Sequence, residues 1–259
     1  MRTALISDIH ANAVALDAVV CELETRHISV IACAGDLVGY NCFPRETLAI
    51  CRARGVNSVC GRHDLLAAGI PGAEPCGPRA RRAAAWTHDA LTPMERAELA
   101  ALPRVLDLGA GVFLMHAGNR EVETRLGRVA ALRAEAAFVR AEYPTARACV
   151  IGHSHEPSAV HVAPDGVTQI HRDEESVRLS EPGLWFINPG SVGEPRGADL
   201  RASYAVIEWT TWTVTFHRVE YDAAFVAAEN ARRLPPLEAD VHRPRLFGRL
   251  RARSLAGAR

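Results

Sequence analysis

Short apolar segments that alternate with helical patterns constrain the first third of the chain most strongly. Residues 3–7, 28–34 and 56–59 have the length and apolar character of strands that are buried on both faces. A helical pattern capped by Asn12 lies after the first of them, and another runs from about Pro44 to Arg54. This order of strand, helix, strand, helix and strand predicts a parallel sheet with right-handed crossovers.

The remainder of the chain predicts further helices, a hairpin and a second sheet. Residues 78–90 and 92–101 have helical patterns, and residues 105–115 are typical of a hairpin. We expect an antiparallel second sheet from the short alternating segments 157–162, 167–171, 184–187, 203–209 and 212–218. The predicted organisation is a single domain over 1–240 with a helical cap-like insertion at about 65–101, followed by an Arg-rich tail at 241–259.

Aspartate and histidine follow the predicted strands at the points where they end. These residues are Asp8, His10, Asp36, His63, His116, His153 and His155. The loops beyond the carboxyl ends of strands form the ligand crevice of an open α/β sheet, so we expect these side chains in one place. Carboxylates and imidazoles together suit divalent ions such as Mn, Fe, Zn, Co and Ni. A carboxylate that reaches two such ions holds them ~3.5–4 Å apart, the spacing of two-metal phosphoryl chemistry.

Composition narrows the function classes. Thirty basic residues balance thirty acidic ones, so no whole-molecule field attracts nucleic acid or a membrane surface. Every basic residue is arginine, which argues against a Walker-type phosphate loop and against Schiff-base chemistry. The cysteines lack CxxC spacing and fit a reducing cytoplasm, where we expect the protein. No signal peptide is evident, and no apolar stretch approaches the ~20 residues of a membrane span.

The strand-end motifs can be read together. They are Asp8-Ile9-His10, Gly35-Asp36-Leu37-Val38, Gly61-Arg62-His63-Asp64, His116 and Gly152-His153-Ser154-His155. This series resembles the calcineurin-like metallophosphoesterase superfamily, whose signature runs DxH, GDxx, GNH(D/E), H and GHxH. Residues 35–40 and 188–193 look like its small prokaryotic phosphodiesterase branch. The resemblance implies an α/β (α+β) fold, a four-layer αββα sandwich of two mixed β-sheets flanked by helices. It also implies hydrolysis of a small phosphodiester or phosphomonoester by metal-activated water.

The resemblance further implies a role for each motif residue. The metal ligands would be Asp8, His10, Asp36 and His155 for the first ion, and Asp36, His116 and His153 for the second. His63 would be the general acid or transition-state stabiliser, oriented by Asp64. Asn12 and Tyr40 would shape the substrate pocket. The implied cofactors are one or two divalent transition metal ions per chain, Mn, Fe, Ni, Co or Zn.

Arg62 stands where the family has an asparagine that binds the second ion. Arginine has only donors and stays protonated, so it cannot copy that ligand. Three outcomes are open: a weaker second site, a guanidinium that replaces the ion and binds substrate phosphate in a fork geometry, or loss of catalysis. We favour retained activity with a weakened or absent second metal, because the other ligand residues and His63 are present. A metal- or phosphate-binding protein without turnover and a nuclease are the alternatives, and a homo-oligomer is left open.

Overall fold

The computed structural model describes residues 1–71, 77–118, 129–166, 168–172, 175–179 and 182–236. The predicted Arg-rich tail and residues 72–76 of the predicted cap lie outside the described residues. The helices are α1 (Ala13–Thr25), α2 (Pro44–Ala53), α3 (Arg62–Ala68), α4 (Pro78–Ala90), α5 (Pro93–Ala100), α6 (Val129–Glu142) and α7 (Ala223–Arg233). The strands are β1 (Arg2–Ile6), β2 (Ile31–Cys33), β3 (Asn57–Ser58), β4 (Val105–Asp107), β5 (Val112–Met115), β6 (Ala148–Val150), β7 (Ser158–Val162), β8 (Thr168–His171), β9 (Ser176–Arg178), β10 (Leu184–Asn188), β11 (Ala202–Glu208) and β12 (Thr213–Val219).

The opening of the chain forms half of the first sheet. Strands β1, β2 and β3 pair in parallel, which confirms the predicted βαβαβ order. The Asn12 side-chain oxygen accepts the N–H of Ala15 and so begins α1, as the sequence predicts. Within the described residues, the full strand order of this sheet is β3-β2-β1-β11-β12-β9. The sheet is mixed, because β11, β12 and β9 run antiparallel to their neighbours.

The late strands divide between two sheets, which corrects the expectation that they form an antiparallel sheet of their own. β11 pairs with β1, so β11 and β12 complete the first sheet. β7, β8 and β10 join the predicted β4–β5 hairpin and β6 in the order β4-β5-β6-β10-β7-β8, with β10 parallel to β6. The reason is that β11 is buried along almost its whole length and needs hydrogen-bonded neighbours on both edges. Alternation in the sequence does not reveal which neighbours those are.

Four layers result from the stacking of the sheets. Apolar side chains of both sheets fill the space between them, among them Leu5 and Ile207 from the first and Leu114 and Trp185 from the second. Helices α1 and α2 cover the outer face of the first sheet, and α6 covers that of the second. This is the predicted αββα sandwich. Among the described helices, none combines the length and the hydrophobicity that a membrane crossing requires.

Helices α3, α4 and α5 follow the third strand, and α3 packs against both α4 and α5. Helix α3 was not predicted, because its seven residues are too few to show a helical period. It begins at Arg62, so the motif residues Arg62, His63 and Asp64 form its first turn. The boundaries of the cap-like insertion and of the single domain stay predictions.

Candidate metal centre

The ends of four strands meet at one edge of the two stacked sheets. The first sheet supplies Asp8, His10 and Asp36, and the second supplies His116, His153 and His155. The described residues form three groups of candidate ligands, and within each group the ligand atoms lie no more than 4.8 Å apart. The groups are Asp8 with His10 and His155, Asp8 with Asp36 and His116, and His10 with Asp36 and His63. All the members of these groups are buried. The structure therefore brings both predicted carboxylates and four of the predicted imidazoles into one pocket.

Backbone carbonyls fix the orientation of three imidazoles. The Nδ1 atoms of His10, His116 and His155 lie 3.3, 2.7 and 2.6 Å from the carbonyl oxygens of Val38, Ala34 and Glu194. With each Nδ1–H donating to its carbonyl, the Nε2 atom keeps a lone pair. This is the hydrogen-bonding arrangement by which proteins usually orient a histidine that binds a metal through Nε2.

The Nε2 atoms of these histidines face the carboxylates and one another. Among the described residues, the buried Nε2 of His116 has no hydrogen-bond partner, although it lies 3.2 Å from a carboxylate oxygen of Asp36. The Nε2 atoms of His10 and His155 are 3.2 Å apart. Two lone pairs at this distance repel each other unless a cation or a proton lies between them. The donor set therefore fits a divalent transition ion.

The two aspartates give the pocket its negative charge. Burial acts to raise the pKa of Asp8 and of Asp36, but the neighbouring imidazoles outweigh it and hold both pKa values well below the usual range. Burial also acts to lower the pKa of His116, yet Asp36 and Asp8 together raise it to about 10. Two ionised carboxylates out of contact with water need positive charge beside them, which protonated imidazoles or a metal ion that displaces the imidazole protons can supply.

The loops that carry the candidate ligands, here named the metal loops, contain non-glycine residues with left-handed backbone. The φ angles are +52° at Asp8, +51° at His10, +55° at Asp36, +66° at His153 and +63° at His155. Such conformations cost on the order of 1–3 kcal/mol each and persist where the surrounding structure enforces them. Gly152 permits the close approach of the loops, because a Cβ there would lie 2.0 Å from the Ser7 hydroxyl.

The segment 188–193 holds the loops after β1 and β6 together. Asn188 Nδ2 donates to the carbonyl of Gly152 at 2.8 Å, and Ser191 Oγ donates to the carbonyl of Asp8 at 2.7 Å. Both Asn188 and Ser191 are buried. The segment that the sequence links to the phosphodiesterase branch therefore positions the metal loops.

His63 borders the candidate metal ligands, but Asp64 does not orient its ring. The His63 ring centre lies 4.8 Å from that of His10, and its backbone N–H donates to Asp36 at 2.8 Å. The Asp64 oxygens instead accept the N–H groups of Val38 and Gly61, at 3.1 and 2.9 Å. The expected contact is corrected because Asp64 is the third residue of α3, from where its carboxylate folds back to the start of the helix.

Asn12 binds the backbone through its side chain, and its role in shaping the substrate pocket stays a prediction. Its oxygen accepts the N–H of Ala15 at 3.0 Å, and its Nδ2 donates to the carbonyl of Gly193 at 3.1 Å. The side chain is 1% exposed. Tyr40, by contrast, is partly exposed at the mouth of the pocket, with its ring centre 4.7 Å from that of His10.

His153 and Arg62 lie on the side of the pocket where the motif departs from the family pattern. The His153 N–H donates to both oxygens of Asp8, at 3.2 and 3.0 Å, and its ring centre lies 5.4 Å from that of His116. The ring is not part of the ligand groups formed by the described residues. Burial, with His116 and Arg62 acting in the same direction, lowers the pKa of His153 to about 4. Arg62 itself is 5% exposed.

Sequence reasoning missed Ser7 and Glu194. Ser7 Oγ donates to an Asp8 carboxylate oxygen at 2.7 Å, and the Glu194 carbonyl accepts from His155. Ser7 directly precedes a ligand, and Glu194 directly follows the segment 188–193, so proximity to a motif is the signal that would have found them.

Known proteins resemble this chain in sequence and in fold. Residues 1–211 match the model of the calcineurin-like phosphoesterase superfamily domain. An uncharacterised protein of Methanocaldococcus jannaschii is 31% identical over 225 residues, which cover 85% of this chain and 87% of that protein. The crystal structure of a metallophosphoesterase from Sphaerobacter thermophilus is 34% identical, with a TM-score of 0.74 over 91% of this chain and 95% of that one. A hypothetical protein of Pyrococcus horikoshii shares the fold, at 20% identity and a TM-score of 0.71 over 90% of this chain and 94% of that one. The chain therefore belongs to the calcineurin-like phosphoesterase superfamily and is a metallophosphoesterase.

Proposed function

We propose that this protein hydrolyses small phosphodiesters or phosphomonoesters. Its divalent metal ions would be held by Asp8, His10, Asp36, His116, His153 and His155. The observation that carries the proposal is the buried pair of carboxylates faced by imidazole nitrogens from both sheets. Metal ions bound there would polarise the phosphoryl oxygens and lower the pKa of the attacking water. Mn, Fe, Ni, Co and Zn all suit this donor set.

We assign to His63 the role of contacting the oxygen of the departing group. Its ring lies beside the ligand His10 and against Tyr40, with ring centres 4.8 and 4.3 Å apart. Among the described residues, the buried Nδ1 atom of His63 has no hydrogen-bond partner. A protonated imidazole at this position donates to the leaving group, or stabilises the charge that develops on it.

Arg62 weakens the second metal site in this proposal. The guanidinium is a buried cation in the first turn of α3, and it acts electrostatically on His153. Like charges repel strongly where water is excluded, so an ion beside Arg62 binds less tightly than one between Asp8, His10 and His155. The same guanidinium is suited to hold a substrate phosphate through two parallel hydrogen bonds.

Metal content and turnover of the Arg62→Asn variant test the proposal. Both proteins would be loaded with Mn²⁺, freed of excess metal, and assayed with 4-nitrophenyl phosphate and bis(4-nitrophenyl) phosphate. We expect a single tightly bound ion in the wild type, and a second ion with a gain of about tenfold in kcat, or ~1.4 kcal/mol, in the variant. Arg62→Lys is the matched control, because it keeps the charge and should gain neither. Two tightly bound ions in the wild type, with no gain in Arg62→Asn, would contradict the proposal.

A binding protein without turnover is the second candidate, and Arg62 is the observation that favours it. Such a protein would bind an ion yet hydrolyse neither ester with added Mn²⁺ or Ni²⁺. A nuclease has less support, because the charges of the chain balance. Unchanged ester hydrolysis after deletion of residues 241–259 would argue further against a nuclease.

Free thiols at Cys33, Cys51 and Cys149 suit the reducing cytoplasm that we propose as the location.

A further inference from the structure

The cap helix α4 reaches the mouth of the metal pocket through Arg79. The guanidinium carbon of Arg79 lies 4.7 Å from the centre of the Tyr40 ring. His63 and His10 also border that ring, with ring centres 4.3 and 4.7 Å from its centre. The Arg79 side chain is 54% exposed. A solvent-accessible cation therefore lies one aromatic ring away from the proposed proton donor.

A carboxylate already binds this cation. Arg79 Nη2 donates to both oxygens of Glu194, at 2.8 and 3.0 Å. Asn41 Nδ2 holds the same carboxylate at 3.1 Å, so the Glu194 side chain is fixed at the rim of the pocket. Both hydrogen bonds of Arg79 come from the single nitrogen Nη2. The other N–H groups of its guanidinium make no hydrogen bond to a described residue. The position is thus built to bind an anion and retains donors for another one.

We propose that Arg79 selects substrates whose leaving group carries a second anionic group, either carboxylate or phosphoryl. This group replaces Glu194 as the hydrogen-bonding partner of Arg79. The inference rests on the proposed function, because it requires the reacting phosphate to lie at the metal loops. His63 contacts the departing oxygen in that function, so the leaving group extends past His63 towards Tyr40 and Arg79. Arg196, which is exposed and follows Glu194 closely in the chain, also acts electrostatically on Tyr40. It adds positive charge to the same opening.

A matched pair of esters tests the selection. Phenyl phosphate and 4-carboxyphenyl phosphate differ by one carboxylate on the leaving group. Wild type, Arg79→Gln and Arg81→Gln would be assayed with both, after loading with Mn²⁺. Arg81 is the control, since it is exposed on the same helix but two positions away, and so faces another direction. We expect the wild type to prefer the carboxylated ester.

Arg79→Gln should reduce this preference, the ratio of the two kcat/KM values, by about tenfold and mainly through KM. Arg81→Gln should leave the ratio unchanged, and Arg79→Lys should restore part of it. An equal loss for both esters, with a lower Tm, would show that Arg79 only ties α4 to Glu194. That result would overturn the inference.

Calorimetry separates a failure of this inference from a failure of the proposed function. Benzylphosphonate and 4-carboxybenzylphosphonate cannot be hydrolysed, so their binding to the metal-loaded protein does not depend on turnover. The carboxylated compound should bind wild type about tenfold more tightly than its parent, and Arg79→Gln should lose that difference. Glu194→Gln, which removes the competing charge, should strengthen its binding. Equal affinities of wild type for both phosphonates would overturn the inference even if ester hydrolysis is observed.

Discussion

At the residue scale, Asp64 supports the pocket without contacting its ligands. Its carboxylate is fully buried, and its two oxygens accept the N–H groups of Val38 and Gly61. Val38 follows the candidate ligand Asp36 closely, and Gly61 precedes the first turn of α3, which contains His63. Burial and the nearby Asp36 outweigh these hydrogen bonds and raise the pKa of Asp64 to about 7. Asp64 therefore ties two segments of the site together through their backbones.

Replacing Asp64 by alanine should destabilise the fold. The change leaves two buried N–H groups without their acceptor, which we expect to lower the free energy of unfolding by ~2–4 kcal/mol. Urea unfolding followed by circular dichroism measures the loss. Asp17→Ala is the control, since Asp17 is exposed on α1 and its loss should cost no more than ~0.5 kcal/mol. Equal midpoints for the two variants would argue against the backbone role of Asp64.

At the scale of elements, α7 supports a loop of the site although it lies outside the residues that match the family. Asn230 Nδ2 donates to the side-chain oxygen of Asn41 at 2.6 Å, and Asn230 Oδ1 accepts the N–H of Cys42 at 3.0 Å. Asn41 in turn donates to the carbonyl of the candidate ligand His10 at 2.9 Å. A helix late in the chain is thereby connected to the loop that carries Tyr40.

Loss of the Asn230 side chain should weaken this connection. We expect Asn230→Ala to lower the free energy of unfolding by ~1–2 kcal/mol, because it removes two hydrogen bonds in a partly buried position. We also expect a higher KM for phosphate esters, since Tyr40 lies on the released loop. Arg232→Ala on the same helix is the control, because its ion pair with Glu229 is exposed and worth little. If Asn230→Ala matches this control in both Tm and KM, α7 does not support the site.

At the scale of the whole molecule, the candidate ligands join the two sheets. Asp8, His10 and Asp36 come from the first sheet, whereas His116 and His155 come from the second. Their donor atoms come together only when the sheets are packed. An ion that binds only this folded arrangement stabilises it by mass action, by ~4 kcal/mol at a thousandfold excess over Kd.

Removal of metal should therefore lower the thermal stability of the entire domain. We expect chelation to reduce Tm by about 10 °C and added Mn²⁺ to restore it. His116→Gln, which removes a candidate ligand of the second sheet, should shrink this difference. His27→Gln is the matched control, because His27 is exposed and belongs to none of the motifs. The same Tm with and without metal in the wild type would refute the predicted dependence of thermal stability on metal binding.

The sequence by itself determined those features that depend on neighbouring residues. The parallel opening, the Asn12 cap and the β4–β5 hairpin all follow from local patterns of apolar and capping residues. The types of the candidate ligands also follow, because strand ends place Asp8, Asp36 and His116 at the same edge of the sandwich.

Only the tertiary structure decided which distant segments meet. It assigned β11 to the first sheet, directed the Asp64 carboxylate to the backbone, and brought Arg79 to Glu194. Sequence patterns could not specify these outcomes, because each contact depends on how layers pack and on which buried polar group needs a partner. A local pattern records the environment of a residue along its own helix or strand, but it carries no record of the partner across the fold.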